Sequence, residues 1–242
     1  MNGKPNRPAG RSPAKGQRTP PDLDNRLEAD RAAVVATLDD SREIIARLDR
    51  YVALLREWQA KTNLIAPSTL PELWSRHIAD SLQLLRLAPE ATQWVDFGSG
   101  GGLPGMVIAC ALADRPGSRV HLVESNMKKA AFLREAARVT GAPATIHAKR
   151  IEDFVDGFNE PVEIVTARAL ASLDNLVEKA YPLLKRGAHA LFLKGQDVEA
   201  ELTTASKYWT IEVELTPSIT DADGRIVHIR SAEPAGASSR GN

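Results

Sequence analysis

The 242-residue chain contains one cysteine, Cys110, so neither a disulfide nor a cysteine-built metal site can form within it. Its five histidines never fall at H-x-x-x-H or similar ligand spacing, so no metal is expected. Long apolar runs are missing as well. Nothing approaches the ~20 residues of a membrane-crossing helix, and the basic N-terminus is not followed by an apolar segment of signal-peptide type. These absences set the expectation of a cytoplasmic protein with no membrane partner. Net charge is zero, from 31 basic and 31 acidic side chains, so no overall excess marks an acidic or basic partner. The balance fails only locally. Residues 1–21 hold Lys4, Arg7, Arg11, Lys15 and Arg18, no acid and many Pro and Gly, a composition that predicts a disordered cationic arm, either touching RNA phosphates or merely solvated.

What the chain does have is a glycine cluster, Val95-Asp96-Phe97-Gly98-Ser99-Gly100-Gly101-Gly102-Leu103-Pro104-Gly105. An apolar run breaks into residues that tolerate positive φ, and Pro104 suits the first turn of a following helix. A strand, a tight turn and a helix start are predicted, with the turn's amides at the strand's carboxyl end, where open α/β sheets bind nucleotide-like ligands. Gly100-x-Gly102-x-x-Gly105 matches the dinucleotide fingerprint literally, but its first glycine lies three residues past Phe97. Read from the strand end, Asp96-x-Gly98-x-Gly100 is the acid-then-glycine turn of S-adenosylmethionine-dependent methyltransferases. The next strand, Arg119 to Glu124, ends on an acid suited to the two ribose hydroxyls.

Before this turn, Arg26 to Leu38 has a modest apolar face, and Asp40-x-x-Glu43 resembles a capping box opening an amphipathic helix through about Lys61. Pro71 is expected to start another helix, carrying Arg76, His77 and Asp80 on one face, with a salt-bridged surface helix as the alternative reading. From Gln93 onward, strands at 93–97, 119–124, 144–148, 163–167 and 189–193 alternate with helices near 104–113, 126–139, 173–184 and 197–207. Strands at 210–215 and 225–230 follow without an intervening helix, as an antiparallel edge hairpin. The pattern predicts an α/β, doubly wound, Rossmann-like sheet. The expected divisions are an arm at 1–21, a helical extension at 22–90, the sheet domain at 91–231 and a disordered tail at 232–242. Three polar clusters fall at strand ends, around Arg150-Ile151-Glu152, Arg168 to Ser172 and Lys194-Gly195-Gln196. Turn chemistry is the plain alternative for each taken singly.

Together these segments resemble one family, the bacterial 16S ribosomal RNA (guanine-N7) methyltransferase G, also called glucose-inhibited division protein B. The likeness runs from about Asp40 to Arg230 through Asn63-Leu64, Arg76-His77-Ile78-x-Asp80-Ser81, the glycine turn through Gly105, Arg150-Ile151-Glu152, Arg168-Ala169-x-Ala171-Ser172-Leu173 and Lys194-Gly195-Gln196. The resemblance implies a seven-stranded methyltransferase fold with an N-terminal helical extension, S-adenosyl-L-methionine as cofactor, and 16S ribosomal RNA or the small ribosomal subunit as partner, modified at guanine-527. It implies cofactor contacts at Gly98, Leu103, Ile151, Glu152 and Arg168, to which the strand-end acid adds Glu124. Arg168, which stands where amino-group methylases carry Asn/Asp-Pro-Pro-Tyr/Phe and where pyrimidine methylases carry cysteine, is the candidate catalytic residue, in a positioning role. Arg76, His77 and Lys194 are candidate RNA contacts, and a monomer is expected. Guanine N7 carries an exposed lone pair, so its methylation needs alignment rather than a base. Competing readings are a nicotinamide-dependent oxidoreductase and a non-catalytic RNA-binding module on the same fold.

Overall fold

The apolar runs become strands buried on both faces, as parallel sheets covered by helices on each side require. In a computed structural model, which describes residues 21–38 and 42–236, the strands are β1 (Gln93–Phe97), β2 (Arg119–Val123), β3 (Ala144–His147), β4 (Ile164–Arg168), β5 (His189–Lys194), β6 (Trp209–Pro217) and β7 (Arg225–Pro234). They form one sheet in the order β3-β2-β1-β4-β5-β7-β6. The first five are parallel, and β7 runs antiparallel between β5 and the edge strand β6. Because β1 has β2 on one side and β4 on the other, the chain reverses its direction of winding at β1. A crevice at the carboxyl ends of the strands follows from that reversal.

Side chains alternate along each strand, so each face of the sheet has its own core. Trp94, Val120, Leu122, Ile164 and Leu191 pack beneath the helical extension, α4 (Gly105–Ala111) and α5 (Met127–Thr140), and Cys110 lies buried in this layer. Val95, Phe97, Val165, Ala167 and Phe192 face α6 (Ile151–Val155), α7 (Leu173–Leu184) and α8 (Val198–Ala205).

The extension consists of α1 (Pro21–Val35), α2 (Arg42–Gln59), a 3-10 segment Pro67–Glu72, a wider π-type turn Trp74–Ala79 and α3 (Asp80–Leu87). It docks on the sheet domain chiefly through α2, whose Leu48, Tyr51 and Leu55 are fully buried, each side chain contributing roughly 1.5–3 kcal/mol of transfer free energy. Helix α1 is held by the Arg31–Asp49 pair at 2.6 Å and by Arg31 lying 5.5 Å from the Trp74 ring.

Two expectations change. The helix expected from Pro71 is preceded by a 3-10 turn from Pro67, which contains Pro71, and it widens into the π-type turn at Trp74. Asp30 of α1 accepts hydrogen bonds from the backbone N–H groups of Trp74 (2.8 Å) and Ser75 (3.2 Å), a cap from a distant segment that local sequence does not reveal. Residues 232–234, assigned to the tail, extend β7. Ala232 is buried, Trp209 pairs with Pro234, and the Trp209 ring lies 5.0 Å from that of Tyr181, so the edge hairpin is longer than its apolar alternation suggests. Residues 1–20 of the arm expected at 1–21, Asp40 of the expected capping box and residues 237–242 of the expected tail lie outside the described residues, and Pro21, placed in the arm, begins α1.

Candidate functional site

The β1 end and the glycine turn are tied together by one buried carboxylate. Asp96 accepts hydrogen bonds from Thr166 Oγ1 (2.8 Å) on β4 and from the Gly105 N–H (3.2 Å) at the start of α4, joining two strands and a helix. Burial pushes its carboxyl up to about 6 even though these donors pull it back. The acid of the turn is therefore a brace, and the backbone it braces is what remains for a ligand. Gly98 (φ +64°) and Gly100 (φ +55°) take left-handed conformations there. A Cβ on Gly98 would come within 2.5 Å of Leu170 Cδ1, whereas one on Gly100 would meet only the Gly98 carbonyl at 3.7 Å.

Beside the turn lies a cavity of ≈ 350 Å³ lined by Gly98, Gly100, Glu124, Lys149, Ile151 and Glu152 among others, within the roughly 300–1,000 Å³ of small-molecule sites. Glu124 is fixed in its wall. One carboxylate oxygen accepts from the Gly100 N–H (2.9 Å) and the other from the Asn126 N–H (2.7 Å), so each keeps a free acceptor position. That set of groups fits S-adenosylmethionine: acceptors for a pair of vicinal hydroxyls, apolar surface from Ile151 and Leu170 for a purine, and glycines that let the chain pass close. Glu152 forms an ion pair with Lys179 of α7, which holds its carboxyl below the usual range.

A second cavity, ≈ 240 Å³, opens across Ala169 at the ends of β4 and β5. Its walls carry Arg76, Arg168 and Lys194, and all three cations have acid partners: Asp221 at 3.2 Å, Asp80 at 3.4 Å and Glu201 at 2.6 Å. Asp80 is the hub. Its Oδ1 accepts from Gln83 Nε2 (2.8 Å), Thr220 Oγ1 (2.7 Å) and Ser218 Oγ (3.3 Å), so one side chain of the extension anchors both Arg168 and the β6–β7 loop.

Four of the expected cofactor residues, Gly98, Glu124, Ile151 and Glu152, thus meet around the first cavity. The other two do not line it. Leu103 is buried behind the turn with its N–H on the Ser99 carbonyl (3.2 Å), and Arg168 belongs to the second cavity. Among the expected RNA contacts, Arg76 and Lys194 line the second cavity, but His77 points into the protein. Thr69 Oγ1 donates to the Ala66 carbonyl and therefore accepts from His77 Nε2–H at 2.8 Å. Burial, with Arg168 and Arg76 nearby, lowers the His77 ring to about 3, so it is neutral and offers no charge to a phosphate. Sequence reasoning noticed Asp80 only as a member of a charged helix face. Beyond Gln83, one helical turn on, its partners Arg168, Ser218 and Thr220 lie 88 to 140 residues away, and no local signal marks them.

Among the described residues no group of three or more metal-ligating side chains occurs, and no helix is long and apolar enough to cross a membrane. A sequence model of the family described as rRNA small subunit methyltransferase G matches residues 44–229. The ribosomal RNA small subunit methyltransferase G of Bradyrhizobium sp. (strain ORS 278) is 64% identical over 209 residues, covering 86% of this chain and 94% of its own. That of Rhodopseudomonas palustris (strain BisB18) is 58% identical over 220 residues, covering 91% and 93%. Among solved structures, an O-methyltransferase of Streptomyces achromogenes in complex with SAM superposes with a TM-score of 0.55 at 15% identity, over 86% of this chain and 98% of its own. One from Bacillus cereus in complex with SAH does so with 0.52 at 14% identity, over 86% and 100%. At such identities these structures speak for the fold alone, and the fold agrees with the sequence relatives: an α/β, Rossmann-like methyltransferase sheet carrying a chain that belongs to the rRNA small subunit methyltransferase G family.

Proposed function

We propose that the protein transfers the methyl group of S-adenosylmethionine to N7 of a guanine in small-subunit ribosomal RNA, guanine-527 by its resemblance. The observation that carries this reading is the braced Glu124 carboxylate beside an open glycine turn, in a chain of this family. An oxidoreductase reading loses its support because the turn's glycines follow the methyltransferase offset, and a purely binding module has no use for so complete a cofactor cavity.

The bound cofactor supplies an electrophilic methyl group and a neutral leaving group. The chain's own residues supply binding and alignment. Glu124 would accept hydrogen bonds from the ribose hydroxyls, Gly98 and Gly100 would admit the ligand to the backbone, and Ile151 would offer apolar surface to the adenine, with Glu152 near it. No general base is required, because N7 presents a lone pair, and the acceptor side is built accordingly. Its Arg76, Arg168 and Lys194 are held in ion pairs, and His77 is neutral and enclosed. Holding N7 in line with the methyl is worth on the order of 7–11 kcal/mol in well-oriented systems. Because Arg76 and Lys194 are already neutralised by acids, the phosphate contacts of the RNA fall more heavily on the arm from Lys4 to Arg18 and on exposed cations such as Lys149 and Arg150. The protein acts as a cytoplasmic monomer on the RNA or on the small subunit.

The test is methyl transfer by the purified protein to unmethylated small subunits, followed by mapping of the modified base. Methylation at N7 of one guanine is the expected result. Transfer to another atom or to no RNA would remove the reading.

A further inference from the structure

We propose that Lys194 is a positioning residue for methyl transfer: with Glu201 it clamps the segment 169–172 beyond the β4 end, and through that clamp it sets Leu170, the apolar side chain that stands over Gly98 in the wall of the cofactor cavity. The inference rests on the reading of the protein as a methyltransferase, and it gives Lys194 a task other than the RNA contact expected from the sequence.

The segment is held on both sides of Ser172. Lys194 Nζ, at the end of β5, donates to the Ala171 carbonyl at 2.9 Å and pairs with Glu201 Oε2 of α8 at 2.6 Å. The same Glu201 oxygen accepts from the Leu173 N–H, also at 2.6 Å. A serine just before a helix ordinarily caps it, yet Ser172 gives α7 no side-chain cap, and its Oγ accepts from Asn175 Nδ2 at 2.7 Å. The acceptor at the start of α7 comes instead from another helix. Only 11% of the Lys194 side chain is exposed, and two of its three N–H donors are taken, which leaves a phosphate little to bind.

What the clamp sets is the wall between the two cavities. Ala169 lines both, at φ +50°, a conformation that non-glycine residues seldom take and that persists where the surroundings over-determine it. Leu170, the next residue, is 37% exposed and lines the cofactor cavity. Its Cδ1, Cδ2 and Cγ lie 2.5, 3.1 and 3.2 Å from where a Cβ on Gly98 would stand, so the side chain rests on the turn itself. Releasing the Ala171 carbonyl would let the left-handed Ala169 relax and carry Leu170 off Gly98. Because the methyl group must leave the cofactor cavity in line with its acceptor, a displacement of about 1 Å in that wall is enough for a loss of roughly 100-fold.

The experiment uses full-length protein with labelled S-adenosylmethionine already bound and an excess of unmethylated small subunits. The parent is compared with Lys194→Met, Leu170→Ala, the double variant and Glu201→Gln. Four quantities are measured: the single-turnover rate constant at saturating subunits, the amplitude of that turnover, the melting temperature and the salt slope of subunit binding. Lys194→Met should lower the rate constant roughly 10- to 100-fold and leave the slope unchanged. Leu170→Ala should lower it as well, and the double variant should lose no more than the more damaging single change, because the lysine acts through the leucine. Glu201→Gln keeps an acceptor for the Leu173 N–H and loses the ion pair, so it should repeat the effect in smaller measure and serves in place of Lys194→Met if that variant does not fold. A lysine that only supports the fold would lower the melting temperature and the amplitude while the rate constant stayed at the parent value. Losses that multiplied in the double variant would separate Lys194 from Leu170, and either result overturns the proposal. So does a slope flattened by about 0.7–0.9 with the saturated rate intact, the mark of one lost phosphate contact. A parent enzyme that transfers no methyl group to the subunit would overturn the reading beneath it.

Discussion

The two cavities at the carboxyl edge of the sheet are built by opposite means. The cofactor side is made of backbone: glycines in left-handed conformations, N–H groups directed at Glu124, and a buried Asp96 that locks the turn to β4 and α4. The second cavity is made of side chains, three ion pairs and the hydrogen bonds of Asp80, gathered from the extension, β4, β5, α8 and the β6–β7 loop. A backbone site is rigid because its hydrogen bonds belong to the sheet itself. A side-chain mesh can be retuned one residue at a time.

The sharpest way to break the comparison is to put a branched side chain on the backbone site. Gly98→Val forces a β-branched residue into φ +64° and against Leu170, and should cost roughly 3 kcal/mol or more, about 100-fold in cofactor Kd. Calorimetry with S-adenosylhomocysteine, beside a thermal melt to verify folding, measures it. Unaltered affinity in a folded variant would place the cofactor elsewhere.

Glu124→Ala comes next, with a loss of about 1.5–3 kcal/mol for each charged hydrogen bond to the ribose and little change in RNA affinity. A fall in RNA binding equal to the fall in cofactor binding would blur the division between the cavities.

Protonation should disturb the two sides in opposite senses. His77 and His147 are lowered from 6.5 to about 3 and about 4, chiefly by burial, so the stability they lend is present above pH 6.5 and is lost as pH falls through those values. Asp96 is raised from 3.8 to about 6, so its contribution is complete below pH 3.8 and is lost as pH rises through 6. The histidine effect is the larger, and melting temperature should drop between pH 6.5 and 4, less steeply in His77→Asn. Parallel pH profiles for parent and variant would mean that His77 is not held neutral.

The smallest expected effect lies outside both cavities. Deleting residues 1–20 should reduce the magnitude of the salt slope of RNA binding by about 0.7–0.9 for each phosphate the arm had neutralised, with the same guanine methylated. An unchanged slope would make the arm a solvated tail.

The two regions also differed in how far sequence disclosed them. The cofactor side was legible because its determinants are local: β1 ends where Phe97 gives way to Gly98, β2 is followed directly by Glu124, and a parallel strand buried on both faces is a continuous apolar run. The second cavity was legible only as isolated charges. Lys194 reads as a phosphate contact until β5 and α8 bring Glu201 to 2.6 Å, and Arg76 and His77 look alike until the wide turn at 74–79 leaves one on the cavity wall and the other inside. Pairings such as Asp80 with Thr220 have no periodicity to betray them, and neither does the capping of Trp74 by Asp30.

The division of labour is tested most directly by titrating S-adenosylhomocysteine into Glu124→Ala and Arg168→Met side by side. The sequence leads one to expect a cofactor contact from both, Arg168 by the resemblance and Glu124 as the acid at a strand end, whereas the structure puts them in different cavities. The account expects the glutamate variant to bind roughly 10- to 100-fold more weakly and the arginine variant to bind as the parent does while its methyl transfer falls. Comparable losses of cofactor affinity in both variants would contradict it.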